Sequence, residues 1–219
     1  MMKTRQAPVI TQEEVVLNII IEYLNENRTF RINEIIPYIS ARLAKTSTNM
    51  NTDGIKRNLN SLLKKRFIVE GSKLTKQTVL DTPNRKELYE FIKNNPGYYL
   101  NNIVDNVEIS KYVIYFHLQV LLKFGLIKSE IIENHEIFFD SSLSFDDIIP
   151  FYYKSKKKSR LILNFLKENN IGHTKTKISS TLKIHSNTLS NYLDILEEHG
   201  FIYKEKISNY ILYFIHEQK

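Results

Sequence analysis

Apolar and polar positions along this chain follow one grammar twice. Leu88, Phe91 and Ile92 recur at the helical period and stop at Asn94-Asn95-Pro96-Gly97, which predicts a first helix and its end. Leu100, Ile103 and Val104 share one face of a short second helix, and a turn over 106–109 leads to Ser110, a good N-cap residue. A third helix is predicted over about 111–123, with the stripe Ile114, Leu118, Leu121 and Leu122 and with Gly125 at the C′ position. The period then shortens to that of strands, over 126–132 and 136–140, joined at Glu133-Asn134-His135.

The same pattern returns 75 residues later without a gap. Leu88 falls on Leu163, Phe91 on Leu166, Gly97 on Gly172, Ile103 on Ile178, Ile109 on Ile184, Leu118 on Leu193, Gly125 on Gly200 and Phe139 on Phe214. Asn94-Asn95 falls on Asn169-Asn170. Apolar residues meet apolar residues and turn residues meet turn residues, which marks an internal repeat of one folding unit. Three helices and a β-hairpin make a winged helix-turn-helix, with the hairpin as the wing. An earlier copy is looser. Thr11 and Glu14 form a capping box, Val16, Leu17, Ile20, Ile21 and Leu24 a stripe, and Asn33 is placed to cap a second helix bearing Ile35, Ile36, Ile39 and Leu43. After a polar loop over 46–53, Ile55, Leu59, Leu62 and Leu63 give a third helix, followed by a strand over 67–69 and a weak second strand over 71–80. The expected architecture is α+β, mainly helical: three tandem winged helix-turn-helix units over residues 10–80, 84–142 and 156–217, with a joining stretch over 141–159.

The segment Ile109-Ser110-x-x-x-Ile114-x-x-His117-Leu118-x-x-Leu121-x-x-x-Gly125-Leu126-Ile127 resembles the ArsR/MarR-type winged-helix regulators of bacteria and archaea. The segment from Ile184 to Leu193 resembles them more closely, because Thr188 fills a place that is often Thr in that family. Asn95-Pro96-Gly97 is similar to archaeal members. The likeness covers the second and third units well and the first loosely. It implies the fold, and DNA binding by association.

Composition adds direction. The chain is 42% hydrophobic and 25% charged, with 6 Gly and 5 Pro, as expected of a globular protein without long disordered linkers. It has no Cys, which excludes disulfides and thiolate metal sites and fits a reducing cytoplasm. Residues 1–9 lack the apolar core of a signal peptide, and the apolar run over 15–21 is too short to span a bilayer. The expectation is therefore a cytoplasmic protein with no membrane partner. The net charge of +7 is uneven. Residues 1–83 carry 13 basic and 8 acidic side chains, residues 84–150 carry 6 and 10, and residues 151–219 carry 12 and 6. A polyanion is expected at the two ends rather than in the middle.

No phosphate loop, nucleophile elbow or paired metal-binding histidines occur, so neither an enzyme nor a cofactor is expected. His117 is read as a packing or hydrogen-bonding residue, and Glu197-Glu198 as a solvated helix face. For DNA, the third helix of a helix-turn-helix enters the major groove with its N-terminal half. In the last unit that half offers His185, Ser186, Asn187, Thr188, Ser190 and Asn191, with Lys175 and Lys177 at the preceding helix and Lys204 and Lys206 on the wing. The lysines from Lys154 to Lys158, with Arg160, add charge nearby. In the first unit Lys56, Arg57 and Asn60 line the polar side. An ordinary solvated helix face is the competing reading in both places. The middle unit differs: Tyr112, Tyr115 and Phe116 make its face aromatic, as for a protein contact and a homodimer through that unit. The expected function is a sequence-specific regulator bound to double-stranded DNA, with effector and operator left open. The alternative is a protein–protein scaffold of tandem winged helices, similar to those of the ESCRT-II machinery or of RNA polymerase-associated factors.

Overall fold

The computed structural model describes residues 11–46, 48–168 and 171–216. The stretch 1–9, the Asn169-Asn170 pair and the outer unit limits at 10 and 217 lie outside the described residues. The rest divides into two compact units. One holds the chain up to Tyr89 together with Lys111–Leu126; the other holds Glu90–Ser110 and the chain from Ile127 onward.

In the first unit, α1 (Gln12–Glu26), α2 (Ile32–Leu43) and α3 (Thr52–Lys64) enclose a core of Val16, Ile20, Leu24, Phe30, Ile35, Ile39, Ile55, Leu59 and Leu62. All but Phe30 are predicted stripe positions. The Thr11 capping box is present, with Glu14 N donating to Thr11 Oγ1 at 3.2 Å and Thr11 N donating to Glu14 Oε2 at 2.7 Å. Asn33 does not cap α2. The helix and its cap lie two residues earlier, the N-cap Arg31 makes no side-chain cap bond, and Ile32 N donates instead to Glu70 Oε1 at 2.8 Å. The orphan donor of a helix end thus finds an acceptor 38 residues away, which no local pattern signals. Asn51 caps α3 through Gly54 N at 2.8 Å. The weak strand pair that follows is only an isolated bridge, Ile68 to Thr75, before the chain turns over 76–80. This unit also contains the start of α4 (Pro83–Asn94) and α6 (Lys111–Lys123).

The second unit contains two three-stranded antiparallel sheets. Strands β1 (Tyr98–Tyr99), β2 (Ile127–Ile132) and β3 (His135–Asp140) have the order β1-β3-β2. Strands β4 (His173–Thr174), β5 (Ile202–Ile207) and β6 (Tyr210–Ile215) have the order β4-β6-β5. All three strand pairs are displaced by 75 residues at both ends, as are α6 and α10 (Ser186–Glu198). Short helices α5 (Leu100–Val104) and α9 (Lys175–Leu182) follow β1 and β4. Gly125 and Gly200 adopt φ 66 and 70 after α6 and α10, the left-handed cap that glycine takes without strain. The β2–β3 turn is tighter than expected. Glu133 and Asn134 alone form it, with φ 48 and 65, and His135 already pairs with Ile132.

The joining stretch contains a helix that the repeat pattern does not include. This is α7 (Phe145–Ser155), with a capping box between Ser144 and Asp147. Its buried residues Ile148 and Tyr152 pack with Ile137 and Phe139 of β3. Local signals for it exist: a serine three residues before an aspartate, then apolar residues at 145, 148, 149 and 152. The helix α8 (Lys157–Glu168) starts after it, so Lys154 belongs to α7 and Lys156 is its C-cap.

Candidate nucleic-acid interface

The α9–turn–α10 corner forms for local reasons. Thr174 caps α9 by accepting from Lys177 N at 3.3 Å. Lys183 closes it at φ 52, and Ser179 Oγ donates to Ile184 O at 2.7 Å across the corner. His185 is the N-cap of α10, its Nδ1 accepting from Asn187 N at 3.4 Å. That ring nitrogen is committed to starting the helix, so His185 supports the presentation of its neighbours. Leu189, Leu193 and Leu196 face inward. Ser186, Asn187 and Asn191 are exposed, while Thr188 and Ser190 are half-buried. Asn187 and Asn191, one turn apart, therefore present amide groups on the same side.

The basic residues divide. Lys175 Nζ donates to Ser190 Oγ, which ties α9 to α10 and places an ammonium beside the polar face. Lys177 is exposed at the start of α9. Lys204 lies toward the other end of α10, where its Nζ is 2.6 Å from Glu197 Oε2, and this ion pair raises the lysine pKa. Glu197 is therefore a partner for the wing, a role sequence reasoning missed. Lys206 is exposed on β5, paired with Ile211 one step from the hairpin turn. On α3, Lys56, Arg57 and Asn60 are exposed opposite the buried Ile55, Leu59 and Leu62.

The lysine cluster of the joining stretch serves other partners. Lys154 stands over the Phe201 ring, Lys158 over Tyr192 and Arg160 over Tyr98, at 5.2, 5.8 and 6.0 Å from the centroids. Lys156 stands over Tyr152 and Tyr153 and pairs with Glu133, whose carboxyl it holds below its ordinary range. Cations over aromatic faces hold elements together. Lys156 is paired with a carboxylate, while Lys157 and Lys158 are exposed.

On α6, Tyr112, Tyr115 and Phe116 are 84%, 53% and 55% exposed, at the i, i+3 and i+4 spacing that makes one continuous face. The next residue, His117, is buried. Its Nδ1 accepts from Arg85 Nε at 3.4 Å, and Arg85, also buried, donates a second bond to Val79 O. Burial, then the Arg85 charge, lowers the His117 pKa. Among the described residues no group of His, Asp and Glu could hold a metal ion, and no helix is long and apolar enough to cross a membrane.

No family model matches the chain. Over 144 residues, 66% of its length, the chain is 28% identical to a Methanocaldococcus jannaschii protein named an uncharacterized HTH-type transcriptional regulator. The chain spans 36% of that relative's length, and the similarity is to a helix-turn-helix protein of that description.

Proposed function

We propose that this chain is a sequence-specific, double-stranded-DNA-binding regulator of transcription, built from three tandem winged helix-turn-helix units of ArsR/MarR type over residues 10–80, 84–142 and 156–217. One observation carries the reading: the N-terminal half of α10 leaves Ser186, Asn187 and Asn191 exposed, with Lys175 and Lys177 at the start of the preceding helix. Asparagine amides suit adenine edges in the major groove, and lysines suit the flanking phosphates. The name of the archaeal relative agrees with a helix-turn-helix regulator. In this reading Ser190 and Thr188 line the interface, His185 orients it, and Lys204 and Lys206 hold the backbone from the wing. Lys56, Arg57 and Asn60 supply a second grip from α3.

The second reading, a protein–protein scaffold, is favoured by the α6 face, where Tyr112, Tyr115 and Phe116 are exposed and uncharged. A homodimer through that face reconciles the two readings. Titration of labelled duplexes at several salt concentrations separates them. With about five phosphates neutralised, log K against log salt falls with a slope of about −4 to −5. A chain that leaves duplex unbound at low salt is not a DNA-binding regulator.

A further inference from the structure

The two sheets of the second unit differ in what covers them. On the outer face of β1-β3-β2 lie Ile137, Phe139, Ile132 and Tyr99, and α7 packs over them through Ile148 and Tyr152. Ile137 and Phe139 are 0% and 1% exposed. The fit reaches the main chain: a Cβ on Gly97 would stand 2.6 Å from Tyr152 N. Lys156, the C-cap of α7, then closes on Glu133 in the hairpin turn.

The positions 75 residues later form the outer face of β4-β6-β5: Leu212, Phe214, Ile207 and Thr174. Apart from Thr174 they keep the apolar character, and among the described residues no helix packs upon them. Ile207, Tyr210 and Tyr203 on this face are 47%, 66% and 38% exposed, and Ile171 at its margin is 65% exposed. Tyr203 and Phe214 stack at 5.1 Å, and with Ile171 and His216 they line an open cavity of about 640 Å³. At Gly172, the counterpart of Gly97, an added Cβ would instead meet the Phe214 ring. Among the described residues Glu205 is the one carboxylate on the face, and Lys204 and Lys206 alternate to the other side.

We infer that the outer face of β4-β6-β5 docks an amphipathic helix of a partner protein with the chemistry of α7: aliphatic and aromatic residues at i, i+3, i+4 and i+7, and a cation in the last turn to meet Glu205. The occupant is a helix because this molecule already shows a helix filling the corresponding face. A second copy joined through the β5 edge would bring Lys204 opposite Lys206 when the strands centre on Glu205, and like charges so paired repel. The face is present whether or not α10 touches DNA.

A fluorescent peptide of residues 143–158 tests this as a probe added to the full-length chain. It should bind with an anisotropy change, and Tyr210→Asp, at an exposed site that folding tolerates, should weaken it at least about tenfold. Leu212→Asp should do the same, with circular dichroism checking the fold. A peptide carrying lysine at both its Ile148 and Tyr152 positions should not bind. Failure of the parent peptide to bind overturns the inference. Binding indifferent to both protein variants overturns it too, since the peptide would then be displacing α7 from the first sheet. A dimer by light scattering that Tyr210→Asp splits also overturns it, by assigning the face to a second copy.

Discussion

At the residue scale, the proposed reading and holding of DNA can be tested separately. Asn187 is exposed at the front of α10, while its main-chain N–H is satisfied by His185. Asn187→Ala should therefore cost about 1–3 kcal/mol on the preferred duplex and much less on random duplex. Lys177→Ala should weaken both duplexes alike and lower the salt slope by about one. Lys204 is engaged by Glu197, so its substitution should do less, and Glu197→Gln should raise affinity for both duplexes. Binding isotherms on the two duplexes check all four expectations; equal losses for Asn187→Ala on both would reduce α10 to a backbone grip. His117 makes a different prediction. Its folded pKa lies below the ordinary 6.5, so on acidification the unfolded chain takes up the proton first. The stability contributed by neutral His117 is full above about pH 6.5 and is lost as pH falls through that value toward the folded pKa. The urea midpoint should drop between pH 7 and 5.5, and His117→Gln should flatten that drop. A variant as steep as the parent would place the titration elsewhere.

At the element scale, α7 shows how a joining stretch becomes structure. Its capping box starts it, its inner face covers β3, and Tyr153 stacks on His199 of the segment after α10 at 5.1 Å. Tyr152 OH and Tyr153 OH both donate to Glu133, at 3.2 and 3.3 Å, so the β2–β3 turn is clasped by this helix. Two glycines separate packing from backbone strain. Gly200→Ala meets no atom within 4 Å and carries only the left-handed conformation, at φ +70, for about 1–2 kcal/mol. Gly97→Ala carries the same strain at φ +81 and also drives a methyl into the main chain of α7, for roughly 3 kcal/mol or more. Urea denaturation of the two variants measures the difference. Equal losses would mean that α7 does not press on β1.

At the scale of the whole molecule, the charge distribution and the aromatic α6 face make the remaining prediction. If Tyr112, Tyr115 and Phe116 join two copies, Tyr112→Ser with Tyr115→Ser should halve the mass found by light scattering. Affinity for duplex should then fall only as far as loss of the second copy requires. Should the double variant keep its mass and stability but lose duplex binding directly, the face is itself a reader of DNA. Truncating exposed aromatic side chains removes little core, so stability should change by no more than about 0.5 kcal/mol.

The local pattern settled the helices of both segments, the strands near 127–140 and 202–215, and the glycines that end α6 and α10, because each depends on periodicity and on one residue's backbone freedom. It also located the polar and aromatic faces of α10 and α6, since exposure opposite a buried stripe follows from helical spacing. Tertiary structure alone decided the partners of charge. Glu70 supplies the acceptor at the start of α2, Glu197 holds Lys204, and Lys154 and Lys158 stand over the Phe201 and Tyr192 rings. It also decided that α7 covers the outer face of one sheet while no helix among the described residues covers that of the other, though their strands share the same register. Long-range hydrogen bonds and side-chain reach are set by which elements come to lie side by side, and that information is absent from any window of a single helix or strand.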